Sequence, residues 1–174
     1  MKGIERALKV FAIFHKKHPS SQFWVVGRFT NNYKKVLVRL SRELSIQSKV
    51  KFYGFVSEKK KIELLSKAHV LINPSYKEGW GLVNIEANAR GTPAVAFDVP
   101  GNRDSIKNGV NGYLVKDGSF KDLALALEKV CRKGKILQKS SLKYSRIFNW
   151  DFSSDKFYVI LSKVYKENHL YEKK

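Results

Sequence analysis

Residues 74–91 read Pro-Ser-Tyr-Lys-Glu-Gly-Trp-Gly-Leu-Val-Asn-Ile-Glu-Ala-Asn-Ala-Arg-Gly, and their reading decides the fold. An apolar run (Val70, Leu71, Ile72) stops at a turn with Pro and two Gly, and a helical pattern begins near Leu82. That layout is a strand, a tight loop and a helix amino terminus. Together they make an anion site, because the first-turn N–H groups, here about Leu82, Val83 and Asn84, lack intrahelical acceptors and carry the positive end of the helix dipole. Gly79 and Gly81 have no Cβ, so the loop can take unusual backbone angles and a ligand can come close to its N–H groups. Glu86 falls in the first or second turn, where a carboxylate facing the cleft accepts from two vicinal hydroxyls, as the acidic residue of a dinucleotide site does with ribose. Glu78 faces whatever lies beyond the phosphates. Spacing alone leaves equally open an ordinary glycine loop, with Glu86 a solvated helix residue and Glu78 a favourable charge near a helix start.

Working outward, 174 residues with 43% hydrophobic content bury one core of ordinary domain size and leave no room for a second large domain. The expectation is a single domain over residues 1–174, with a terminal helix from about residue 151. No apolar run approaches a membrane span and no amino-terminal segment reads as a secretory signal, which gives a cytoplasmic protein as the expectation. Cys131 stands alone, and His15, His18, His69 and His169 show no zinc-ligand grouping, so neither a disulfide framework nor a metal is expected. Thirty-four Lys and Arg against 15 Asp and Glu give a net charge of +19, which attracts phosphates or anionic headgroups. The basic residues are scattered over polar helix faces. A lysine-rich solvated surface and a peripheral site at the inner face of a membrane both fit this pattern, whereas nucleic acid is not expected, because neither a known binding module nor an aromatic stacking platform is visible.

The chain alternates helix and strand. Ile4, Ala7, Leu8, Phe11 and Phe14 repeat at helical spacing before Pro19. Strands are expected over residues 22–26, 50–53, 69–73, 93–97 and 112–115, with helices over 32–45, 57–68 and 82–89. Pro100-Gly101 reads as a turn, and the remainder as helix with a break near Asn149-Trp150-Asp151. Such alternation indicates βαβ units in a doubly wound parallel sheet, α/β in class, with ligands at the carboxyl ends of the strands.

Lys2-Gly3 opening a helix, Val25-Val26-Gly27, residues 50–54, Asn73-Pro74-Ser75, residues 78–82 with Glu86-Ala87, Gly91-Thr92-Pro93 and residues 109–115 occur in an ordered series. In that order the chain resembles, from residue 2 to about 165, the carboxy-terminal, donor-binding half of the group 1 retaining glycosyltransferases, whose architecture is GT-B. The resemblance implies a Rossmann-like half of that fold and a nucleotide-diphosphate sugar as co-substrate, with no cofactor and no obligatory metal. Motif by motif, Lys2 corresponds to the lysine that neutralises the donor pyrophosphate, Glu86 to the holder of the ribose hydroxyls, and Glu78 to the residue at the reacting centre. Gly79, Trp80 and Gly81 correspond to the loop that meets the sugar, Leu82 and Val83 to the N–H donors for phosphate, and Tyr53 and Gly54 to the border of the base.

The departures raise their own expectations. The family's donor domain opens with a strand and an arginine ahead of the lysine, and here the chain starts at Met1-Lys2, so this first central strand reads as missing. Arg28 is a candidate to replace the arginine in part. An amino-terminal acceptor-binding half or second chain is the implied partner, and a non-catalytic nucleotide-sugar module that completes or regulates a partner chain is the alternative. For the chain alone, the strands at 22–26 and 69–73 are expected to close up as direct neighbours, with Lys2 displaced from the phosphate site.

Overall fold

The computed structural model describes residues 2–171 and contains, in chain order, α1 (Ile4–Lys17), β1 (Phe23–Val26), α2 (Asn31–Glu43), β2 (Val50–Gly54), α3 (Glu58–Lys67), β3 (Leu71–Asn73), α4 (Leu82–Asn88), β4 (Ala94–Phe97), α5 (Pro100–Ser105), β5 (Gly112–Val115), α6 (Phe120–Ser145) and α7 (Trp150–Tyr171). The strands pair in parallel: β3, β4 and β5 form one sheet and β1 with β2 a second. β4 is buried on both faces, and period-2 alternation divides its side chains. Val95 and Phe97 join the larger core with Leu8, Phe11 and Phe14 of α1, Leu37 of α2 and Leu123, Leu127 and Val130 of α6. Ala94 and Ala96 face the other way, onto Ile106, Leu71 and Leu114. Helices on both faces of parallel strands are the α/β arrangement expected from the sequence.

Local signals account for most element ends. Thr30 and Ser57 cap α2 and α3 by accepting from the N–H groups of Tyr33 and Lys60. The Pro100-Gly101 pair does not make a turn but opens α5, with proline at its first position. The missing N–H and fixed φ of proline suit that position, so the same dipeptide serves either purpose. Residues 120–145, labelled α6, run as two helical stretches that meet at a kink at Gly134, whose φ of +45° is not helical. Among the described residues no helix is long and apolar enough to cross a membrane.

The strands at 22–26 and 69–73 do not close up. β1 pairs with β2 and β3 with β4, and between them runs a cleft of about 1740 Å3 lined by residues 23–26 and 70–73, by Ala7, Phe11 and Phe14 of α1, and by Leu64 and Leu65 of α3. Packing of α1 explains the separation. Phe11 stacks on Phe23 with ring centroids 5.3 Å apart, while Leu8 and Val10 share a cluster with Val95 and Phe97 of the other sheet. A helix wedged across both sheets keeps their edges beyond the roughly 4.8 Å spacing of paired strands, and a close-packed interior does not compress to bring them together.

Leu8 is fully buried between the sheets and α6. Leu8→Ala should therefore lower the unfolding free energy by about 2–5 kcal/mol, seen as a lower urea midpoint at unchanged slope. A loss under about 1 kcal/mol would mean that α1 does not carry the core.

Candidate functional site

Residues 74–81 leave the carboxyl end of β3 and reach the start of α4. Glu78 lies midway, anchored at both main and side chain: its carbonyl accepts from the Gly101 N–H at 3.2 Å, and its carboxylate accepts from Ser75 Oγ at 3.1 Å and from Lys2 Nζ at 2.9 and 3.1 Å. Lys2 is thus held at Glu78, because α1 begins with Gly3 close against the Pro74 carbonyl. The Glu78 side chain is 12% exposed and that of Lys2 68%. Burial pushes the Glu78 carboxyl up, but the Lys2 ammonium, with the bonds from Ser75 and Asn73, outweighs it and leaves the group below its ordinary value of 4.5.

The glycine at 81 is required by its surroundings. Its φ is +72°, and a Cβ would sit 2.4 Å from Ser105 Oγ and 2.7 Å from Asn84 Nδ2. Trp80, beside it, sets its ring edge-on to Phe148 with centroids 5.2 Å apart, which ties the loop to the chain just after α6. Asn84 N–H donates to Gly81 O at 2.8 Å, so of the three N–H groups singled out in the sequence this one is satisfied within the turn. Val83 lines the cleft and Leu82 is exposed. One turn on, Glu86 accepts from Lys61 Nζ at 3.1 Å, and Lys61 also pairs with Glu58 at 2.9 Å. The Glu58 bond, and then Glu86, hold the Lys61 ammonium above its ordinary pKa against the opposing effect of burial. Tyr53 ends up at the carboxyl end of β2, edge-on to Trp24 at 6.1 Å, with Lys51 Nζ 4.8 Å over its ring. Arg28 packs over Phe55 at 4.4 Å.

Beneath the loop lies a buried amide network that the sequence reading missed. Asn73 Nδ2 donates to Asn84 Oδ1 and Asn102 Oδ1 at 3.1 and 3.0 Å, and Asn84 Nδ2 donates to Asn102 Oδ1 and Ser105 Oγ at 3.0 and 2.8 Å. Asn88 and Asn111 continue it, with Asn111 Nδ2 donating to Asn88 Oδ1 at 2.6 Å. These bonds lock α4 to the end of β3 and to α5, fixing where Glu86 and the Gly81 turn stand. The signal was the recurrence of Asn at 84 and 88, one helical turn apart on the face that also carries Ile85 and Ala87.

A glycine loop, a short helix and two lysine-paired glutamates thus gather at the carboxyl edge of a parallel sheet. The profile of the family described as Glycosyl transferases group 1 matches residues 1–146. The chain belongs to this family. Among curated relatives of this group 1 chain, the D-inositol 3-phosphate glycosyltransferase of Mycobacterium tuberculosis is 33% identical over 124 residues, which are 68% of this chain and 26% of that protein. The chain therefore spans about a quarter of the length of the curated relatives it matches. Sucrose-phosphate synthase of Thermosynechococcus elongatus superposes with a TM-score of 0.82 at 26% identity, over 95% of this chain and 43% of the synthase. Anabaena HepE, solved with UDP, gives 0.82 at 22% identity over 93% and 45% of the two chains. These likenesses identify the mixed α/β fold with parallel strands as the Rossmann-like half of a group 1 glycosyltransferase.

Because the folded-state pKa of Glu78 is depressed, its pair with Lys2 contributes stability that is complete above the ordinary value and is lost as pH falls through the lower folded value. The stability difference between the wild type and Glu78→Gln should therefore shrink as pH drops from about 6 to about 3 in urea titrations. A difference that stays constant over that range would show that the pair does not form in solution.

Proposed function

We propose that the protein is the donor-binding half of a retaining glycosyltransferase, taking a nucleotide-diphosphate sugar for transfer to an acceptor held by a second, amino-terminal half. The observation that carries this reading is the pairing of Lys2 with Glu78 directly before the Gly79–Trp80–Gly81 loop, with Glu86 on the helix that the loop opens. The leaving diphosphate gains negative charge as the glycosyl bond breaks, and an ammonium together with first-turn N–H groups of Leu82 and Val83 lowers the barrier by meeting that charge. Lys2 is mostly exposed, so its pair with Glu78 is worth at most about 1 kcal/mol. A diphosphate can therefore take over the ammonium, leaving the Glu78 carboxylate to face the sugar. In the same way, ribose hydroxyls can replace Lys61 on Glu86. The excess of positive charge suits work on the cytoplasmic side, next to anionic headgroups.

A thermal-shift screen of UDP-, GDP- and ADP-sugars tests donor binding, since a ligand of the folded state raises stability by mass action. Glu86→Gln keeps the size of the side chain and removes its charge. It should weaken binding of the nucleotide found by the screen by about 1–3 kcal/mol, measured by calorimetry. Unchanged affinity would sink the ribose assignment.

The cleft supports one way in which a second half would engage. The facing edges of β1 and β3 belong to different sheets, and apolar side chains line the space between them. An extended apolar segment lying parallel to both would join the two sheets by backbone hydrogen bonds, as in strand addition. We assign that segment to the acceptor-binding half, where it would also exclude water from the reacting centre. The 174-residue chain by itself should bind donor without transferring sugar, and co-expression with a candidate amino-terminal half should raise the midpoint of thermal unfolding. No shift at saturating partner, or mass-verified transfer by the chain alone, would overturn this assignment.

A further inference from the structure

Arg6, 5% exposed, is the one buried cationic residue among the described residues, and the donor-site reading gives it no part. It sits in the first turns of α1, and its guanidinium touches two connections and the end of a strand at once. Nη1 donates to Pro74 O at 3.4 Å, and Nη2 pairs with Asp117 in the β5–α6 connection. The guanidinium carbon lies 3.9 Å from the ring centroid of Phe97, at the end of β4, and 4.2 Å from that of Tyr76. Rings on the cation's faces and oxygens at its edge are what a planar guanidinium satisfies and an ammonium satisfies only in part.

The approach of α1 to this loop is equally constrained. Gly3 has a φ of +63°, and a Cβ there would stand 2.4 Å from Pro74 O. The helix start is thus pressed against the carbonyl that Arg6 binds, with Lys2 placed just beyond it at Glu78. The carboxy-terminal end of residues 74–78 is fixed separately, by the Gly101 N–H on Glu78 O. Arg6 holds the other end. A buried charge of this kind is not needed for stability alone, since apolar residues of similar volume commonly do as well. What the charge adds is a directional tie between α1 and the segment that carries Ser75 and Glu78.

We infer that Arg6 is a positioning residue, which fixes residues 74–78 against the amino terminus of α1 and thereby sets the place of the Glu78 carboxylate beside Lys2. The geometric part stands by itself, and the consequence for donor binding rests on the function proposed above.

Hydrogen exchange of backbone amides in the 174-residue chain tests the geometric part. Arg6→Met keeps length and apolar stem but removes the cation. It should speed exchange at residues 75–80 about tenfold or more while β4 and α6 keep their protection. Arg6→Lys restores a cation and should recover a substantial part of the loss. Wild-type protection at 75–80 in Arg6→Met, a uniform increase that includes β4, or a lysine variant no better than methionine would each overturn the inference. Should Arg6→Met fail to fold, Tyr76→Leu removes only the loop's ring from the guanidinium, and it should loosen the same amides. Unchanged exchange there would count against the inference equally. With the nucleotide sugar picked out by the thermal-shift screen, Arg6→Met should also lower affinity for that sugar donor by a larger factor than affinity for its free nucleoside diphosphate. If the exchange result holds and no nucleotide sugar binds the wild type, the proposed function fails and the positioning role of Arg6 stands.

Discussion

Phe11 of α1 against Phe23 of β1, with Leu8 and Val10 against Val95 and Phe97 of β4, is the contact on which the rest of the molecule depends. No backbone ladder joins β1 to β3, so the two sheets form one body chiefly through side chains that α1, α2 and α6 press onto them. Hydrophobic burial of this kind is strong but undirected. It fixes the layers without fixing hydrogen-bond register between the sheets, and it leaves the cleft between β1 and β3 without a ladder.

On this apolar frame the polar ties are concentrated at one edge. Gly101 N–H, Ser75 Oγ and Arg6 fix the path from β3 to Glu78, and the Asn73–Asn84–Asn102 network fixes α4 beyond it. Satisfied amide networks in a low-dielectric interior are rigid, because breaking any one bond strands a buried partner. Rigidity beneath the loop contrasts with the lability above it. There the pairs Lys2–Glu78 and Lys61–Glu86 are partly exposed and screened by solvent, so a charged ligand meets little resistance in replacing them. A firm seat under exchangeable ion pairs is the division of labour expected of a binding site that must be preorganised and yet open.

The sequence made the strand, loop and helix around Glu78 legible, since the apolar run at 70–72, the glycine pair and the pattern from Leu82 each carry a local signal. The order of elements followed from the same kind of evidence, with α5 missed because Pro-Gly ends one helix as readily as it begins another. Arg6 stayed hidden for a different reason. Among Ile4, Ala7, Leu8 and Phe11 its residue type says surface, and only the tertiary placement of Phe97, Tyr76 and Asp117 makes a buried guanidinium tolerable. Lys61 read as one of three solvated lysines at 59–61, because nothing local says that α3 brings it to Glu86. The expectation that β1 and β3 would pair weighed the unsatisfied strand edges and overlooked the width of α1.

The exposed apolar surface points in the same direction as the cleft. In α7, Phe157, Tyr158, Ile160, Leu161 and Val164 are each about half exposed or more, and they recur at the spacing of a helical stripe. Single exposed apolar residues are ordinary, but a contiguous stripe on one helix is what a partner surface covers. The helix that carries it starts at Trp150, two residues after Phe148, and Phe148 packs on Trp80 of the loop after Glu78. Whatever fixes α7 is therefore mechanically close to the loop that carries Glu78. In the proposed two-half enzyme, engagement of the second half along this helix and ordering of the donor loop would be coupled through that one aromatic contact, with no need for a longer path through the core.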